Sequence, residues 1–338
     1  MHHHYSIGEQ FLHYLALNFK PVVELSLDLE KQLFGEKASG KYEGSTYVMG
    51  LARSGTTALM TSLHSTGEYA SLTYKDMPFV LCPNLWNLFT SRMTHPIKRR
   101  IRAHGDGIEI SINSPESFEE VFWKCKLGPT YIKDEVLCLH GVSDELLQQL
   151  ELYHSLVCHR HDKTRYLAKN NNMVLRLADI VTRSENSKFL VVFRHPSTHA
   201  QSLLAQHARF SSMDKFEKNY FEWLGHYEFG TTHKRLDLYK DSNWTMSKSD
   251  FSYWLERWID AYDYLLKILT ERHVNVIPIC YEKLCLDSTY RSDLWDRLGV
   301  KNVTYEFKLS EQRVNRVSSN RFELAVAIYN ELTDLTVY

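Results

Sequence analysis

Apolar residues follow two patterns along this chain. The first is the short unbroken run: Thr46-Tyr47-Val48-Met49, then Lys188-Phe189-Leu190-Val191-Val192-Phe193, then Val274-Asn275-Val276-Ile277-Pro278-Ile279. Runs of this length predict strands buried on both faces. The second pattern is helical. Residues 5–35 carry Phe11, Leu12, Leu15, Leu17, Phe19, Leu25, Leu27 and Leu29 at mixed spacing, and residues 250–271 form an amphipathic stretch rich in Trp, Tyr and Leu. Gly35–Gly44 reads as a loop. A helix is predicted from about Thr56, with Leu59, Met60 and Leu63 on its inward face. Another runs from Pro196, which suits a first helical turn, through Ser202 and Leu203 toward Phe210. Strands alternating with helices predict an α/β fold, a central parallel sheet flanked by helices, whose ligands bind at the carboxyl ends of the strands.

Composition narrows the function. The 338 residues show no repeat, low-complexity tract or Pro/Gly-rich linker, so one domain is expected over 1–338. Residues 1–44 read as a helical N-terminal extension, and 80–160 as a helical, aromatic-rich insertion. A net charge of −1 argues against a nucleic-acid partner. Cysteines at 82, 125, 138, 158, 280 and 285 form no CxxC pair, which predicts a reducing, cytoplasmic setting. No secretory signal is visible, and Glu9, His13, Lys20 and Glu24 break up the N-terminal apolar stretch, so no membrane span is expected. Cys158, His159 and His161 cluster at a spacing that fits no metal pattern, and read as a polar helix end; no metal is expected.

The chemistry begins at Gly50-Leu51-Ala52-Arg53-Ser54-Gly55-Thr56-Thr57, between a strand and a helix. Such a loop turns consecutive backbone N–H groups toward an anion at a helix N-terminus. Gly50 and Gly55 keep the spacing of the nucleotide-triphosphate loop, but Thr56 stands where that motif has its lysine. That lysine serves the β- and γ-phosphates, so the loop suits a donor lacking a γ-phosphate. Arg53 can instead fork onto a phosphosulfate. A second anion site follows Phe189–Phe193: Arg194 at the strand exit, then Ser202 on the helix face that looks back toward it.

With these motifs the chain resembles the sulfotransferase family, whose domain is P-loop-like. Leu51–Thr57 is similar to its 5′-phosphosulfate loop, Arg194 and Ser202 to its 3′-phosphate motif, and Tyr281-Glu282-Lys283-Leu284 to a Tyr-Glu-x-Leu segment near the nucleotide. The resemblance spans about residues 45–285. It implies transfer of a sulfuryl group from 3′-phosphoadenosine 5′-phosphosulfate (PAPS) to a hydroxyl or amine, leaving 3′-phosphoadenosine 5′-phosphate. Arg53, Ser54, Gly55, Thr56, Thr57, Ala58, Arg194, Ser202 and Tyr281 would hold the nucleotide. Arginine rather than lysine at position 53 is similar to the bacterial and the Golgi tyrosyl-protein branches; a Golgi enzyme would need a membrane anchor, so the bacterial type is expected. Gln206 departs from the tyrosyl-protein branch, which has a basic residue there.

In-line sulfuryl transfer needs cations where the phosphate leaves and a base at the acceptor. Arg53 is the first cation; the resemblance makes Lys169 the second. It also places a catalytic carboxylate a little over twenty residues beyond the loop arginine, nearest to Asp76, with His104 and Glu116 as rivals. Arg313 and Arg316 could add charge at the 3′ side. Phe79, Trp86, Phe89, Phe118, Phe122 and Trp123 either line the pocket of a small-molecule or natural-product acceptor or belong to the core. Two other readings fit less of the chain: a P-loop kinase of a small molecule or nucleotide, and a non-catalytic nucleotide-binding protein.

Overall fold

The computed structural model describes residues 5–40, 42–91, 100–101, 109–239, 246–309 and 319–336. The N-terminal segment forms two helices, α1 (Ile7–Leu17) and α2 (Lys20–Ala38), rather than one. Pro21 explains the break: it is accepted only in a first turn, so a new helix starts there after Asn18 and Phe19.

Five strands, β1 (Gly44–Met49), β2 (Tyr69–Ala70), β3 (Arg165–Lys169), β4 (Lys188–Phe193) and β5 (Val276–Cys280), form one sheet in the order β2-β3-β1-β4-β5. Every pairing is parallel. The fifth strand starts two residues later than its apolar run, because Val274 is 90% exposed in the turn before it.

The run Phe189–Phe193 shows why such strands are apolar throughout. Phe189, Val191 and Phe193 enter one core cluster, whereas Leu190 and Val192 enter the other. Successive side chains of a strand point to opposite faces, so a sheet covered on both sides leaves no position for a polar residue. Five helices bear on the site: α3 (Thr56–His64), α4 (Asp144–His161), α5 (Pro196–Phe210), α6 (Phe251–Thr270) and α7 (Asn320–Asp334). The first joins the Leu190 side through Leu59, Met60 and Leu63, all buried as expected. The last two pack on the Phe189 side. No helix among the described residues is long and apolar enough to cross a membrane.

Several histidines are buried in the neutral form. Burial pushes His199 and His233 down to about 3 and His140 to about 4, from an ordinary value of 6.5. The unfolded chain therefore binds more protons than the folded one between pH 4 and 6.5. Stability is unaffected above that window and falls as pH drops through it, by on the order of 1 kcal/mol per pH unit for each group. Urea midpoints between pH 7.5 and 4.5 should be flat at first and then decline; a midpoint constant to pH 5 contradicts this.

Candidate active site

Four adjacent parallel strands release their chains at the same edge: β3 at Lys169, β1 at Gly50, β4 at Arg194 and β5 at Tyr281. Close backbone approach draws the exits together. A Cβ on Gly50 would lie 2.3 Å from the carbonyl oxygen of Val192, and one on Gly55 would lie 2.1 Å from the Tyr281 ring. Only glycine permits either contact, and both have positive φ, 136° and 106°. Between them Arg53 also adopts a left-handed conformation, φ 71°, a strained geometry for a residue with a side chain.

That strain carries the Arg53 side chain across the sheet edge. Its Nε donates to Ser202 Oγ at 3.2 Å. Ser202, 3% exposed, faces back toward the strand exits, as its place on α5 predicts. The backbone of the loop is fastened to the same helix, where His199 Nε2 bonds the carbonyl oxygen of Ala52 at 2.8 Å. A carbonyl can only accept, so Nε2 carries the proton. Ser54 and Thr56 are buried; Ala58 follows on the inner face of α3.

Arg194 is buried at the end of β4. Its Nε stands 4.0 Å from Glu282 Oε1, which also accepts the backbone N–H of His195 at 3.0 Å. Trp258 Nε1 donates to the Arg194 carbonyl at 3.1 Å, so α6 props this exit from behind. The Tyr281 hydroxyl donates to the carbonyl of Lys308 at 3.1 Å, which anchors the far end of its ring.

Lys169, also buried, donates to Thr57 Oγ1 at 3.2 Å and lies 3.5 Å from Glu116 Oε1. Glu116 accepts from the Tyr74 hydroxyl at 3.0 Å and from Ser117 N at 2.9 Å. The chain next to Lys169 is held by a buried polar network. Asn170 Nδ2 donates to Glu120 at 2.9 Å, and Arg176 forks onto that carboxylate at 3.0 and 2.9 Å while stacking on Trp123 at 4.3 Å. Arg176 and Glu120 were not distinguishable from ordinary surface charges by type alone; their roles come from packing.

Asp76, the carboxylate expected at the acceptor, is held within its own turn. Its Oδ2 accepts Thr73 N at 2.7 Å and Thr73 Oγ1 at 2.9 Å, closing the capping box of its own helical turn. It is 1% exposed, and burial raises its carboxyl above the usual range. The carboxylate that lies beside Lys169 is Glu116, one of the rivals named from the sequence. His104, Arg313 and Arg316 lie outside the described residues.

The aromatic residues divide. Phe118, Phe122 and Trp123 are core, whereas Phe79, Trp86 and Phe89 line a separate groove with Val22, Leu25 and Leu29. A cleft of about 50 Å³ borders the loop at Leu51 and Ala52, with Asn171, Leu203, Tyr227, Leu236 and Trp254 in its wall. Among the described residues no group of three or more His, Cys, Asp or Glu is disposed to hold a metal.

Two solved structures align with most of the chain. One is a sulfotransferase, STF1, from Mycobacterium tuberculosis H37Rv: 13% identity, 98% of this chain and 90% of that one, TM-score 0.44. The other is sulfotransferase STF9 from Mycobacterium avium: 11% identity, 93% and 74% coverage, TM-score 0.49. No family model and no curated protein matches the chain. At these TM-scores the likeness carries no argument, so the fold assignment rests on the strand order and register above.

The Gly55–Tyr281 contact makes a test of the loop. Gly67 also has positive φ, 73°, but open space around it. Gly67→Ala should cost about 1 kcal/mol, the left-handed penalty alone. Gly55→Ala must also displace the Tyr281 ring, adding about 1–3 kcal/mol. Equal urea midpoints for the two variants would show that the ring does not press on the loop.

Proposed function

We propose that the chain is a PAPS-dependent sulfotransferase of the bacterial type. One observation carries the reading: the 3.2 Å contact between Arg53 and Ser202, which joins two anion sites from different strand exits into one continuous cradle. A triphosphate has no use for a second site on the far side of its loop. A nucleotide phosphorylated at both ends needs one.

In this reading the N-terminus of α3 and Arg53 hold the 5′-phosphosulfate, Arg194 and Ser202 the 3′-phosphate, and the Tyr281 ring borders the nucleotide. The acceptor oxygen or nitrogen attacks sulfur, the bond from sulfur to the bridging phosphate oxygen breaks, and the sulfuryl group passes over. Arg53 and Lys169 neutralise charge gathering on the leaving phosphate. Glu116, beside Lys169, takes the acceptor's proton. Asp76, committed to its cap, serves the fold. The cysteine pattern favours a reducing cytoplasmic setting, and the whole of 1–338 acts as one domain.

Thermal melts with 3′-phosphoadenosine 5′-phosphate and with ATP separate this from a kinase. The first should raise the midpoint by several degrees and the second should not. With isotope-labelled PAPS and a panel of hydroxyl and amine acceptors, Arg53→Ala should lose on the order of a hundredfold in turnover with its fold intact. Glu116→Gln should lose a similar factor or more, whereas Asp76→Asn should lower stability and leave the rate nearly unchanged. Absence of a shift with the bisphosphate, or full turnover in Arg53→Ala, overturns the assignment.

A further inference from the structure

Strand β3 outruns its neighbour on one side. β2 has only two residues, Tyr69 and Ala70, and its last pairing sets Ala70 against Tyr166. Beyond that point no strand among the described residues flanks β3 on this edge. Carbonyls two residues apart on a strand point the same way, so Leu167 and Lys169 both turn theirs toward the gap. A buried carbonyl needs a donor, and two serine hydroxyls take the place of the missing strand. Ser71 Oγ donates to the Leu167 carbonyl at 2.9 Å, and Ser117 Oγ to the Lys169 carbonyl at 2.7 Å. Both serines are buried.

The two bonds are alike in chemistry and differ in what they hold. Ser71 serves the interior of a strand. Ser117 belongs to a closed ring of contacts around Lys169. Its backbone N–H donates to Glu116 Oε1 at 2.9 Å, and the same oxygen lies 3.5 Å from Lys169 Nζ. Two consecutive residues thus grip the lysine at both ends, its ammonium by Glu116 and its carbonyl by Ser117. The Ser117 carbonyl in turn accepts from His226 Nε2 at 2.7 Å, which steadies the serine itself.

We infer that Ser117 is a positioning residue for sulfuryl transfer: by fixing the Lys169 main chain, it holds the lysine's ammonium and the Glu116 carboxylate at a constant separation. The inference rests on the reading above for the tasks of Lys169 and Glu116. The chain beyond the lysine is anchored independently. Asn170 N donates to the Val48 carbonyl at 3.1 Å, and Asn170 Nδ2 to Glu119 and Glu120 at 3.2 and 2.9 Å. Removing the Ser117 hydroxyl therefore leaves the strand end in place and frees only the Lys169 peptide. A shift of about 1 Å in a group that aligns reactants can cost on the order of a hundredfold in rate.

The test pairs Ser117→Ala with Ser71→Ala, which cuts the same kind of bond two residues earlier on the same strand. Urea midpoints should fall by similar small amounts in both. Affinity for 3′-phosphoadenosine 5′-phosphate, measured by titration calorimetry, should stay nearly unchanged in both. Turnover of isotope-labelled PAPS is scored as transfer to the acceptor panel and as sulfate released to water. With KM for PAPS unaltered, kcat should fall about tenfold or more in Ser117→Ala and hold its value in Ser71→Ala. Ser117→Thr, which keeps a hydroxyl, should recover most of the loss. A simple structural defect would not divide the two alanine variants in this way. Equal loss of turnover in both, full turnover in Ser117→Ala, or a loss that follows nucleotide affinity overturns the inference and leaves the donor reading standing. If the unaltered chain neither binds the bisphosphate nor consumes PAPS, the donor reading falls and this inference with it.

Discussion

The structure depends on how closely two neighbouring parallel strands can come at their exits. At Gly50 the backbone of the first strand passes so near the carbonyl of Val192 that no side chain fits between them. The loop that follows is therefore pinned against the end of the fourth strand before it turns into α3. From that position an arginine in the middle of the loop reaches a serine two turns along α5. Separate these strand ends by a side-chain width and the two halves of the cradle become independent surface features.

Polar groups hold the arrangement only where they are buried and answered. The loop is tied to α5 by a histidine that stays neutral because it is dry. On the other flank, Lys169 is positioned by a carboxylate and a threonine, and the residue after it by a network running through Glu120 to Arg176. Hydrogen bonds in such surroundings are stronger than in water, and leaving one unmade is correspondingly costly.

Much of this was legible in the sequence, for identifiable reasons. The strands of residues 46–49 and 188–193 and the helix of 251–270 are long or uniform enough for periodicity to reveal them. The loop from Gly50 to Thr57 and the Arg194–Ser202 pair stand out by local spacing, and the fold brings them together where Arg53 meets Ser202. The strand at 165–169 was harder: Arg165 and Lys169 bracket only three apolar residues, and its burial comes from neighbours far along the chain. Glu116 was read from the sequence as one of three candidate bases, but its place beside Lys169 was not, since it arrives from a segment bridged to Thr73 through Pro115 and no sequence distance announces that. Asp76 stood at a plausible distance along the chain, but position in sequence does not announce that its carboxylate caps its own turn.

The pair formed by Arg176 and Glu120 constrains how this protein could diverge. Both side chains are almost wholly shielded from solvent, so altering either alone strands an opposite charge in the interior at a cost of several kcal/mol. Relatives that lack one should lack the other, replaced together by apolar residues of similar bulk. Descendants of this chain would thus pass from the ionic form to a greasy one in paired steps, with almost no viable intermediate between.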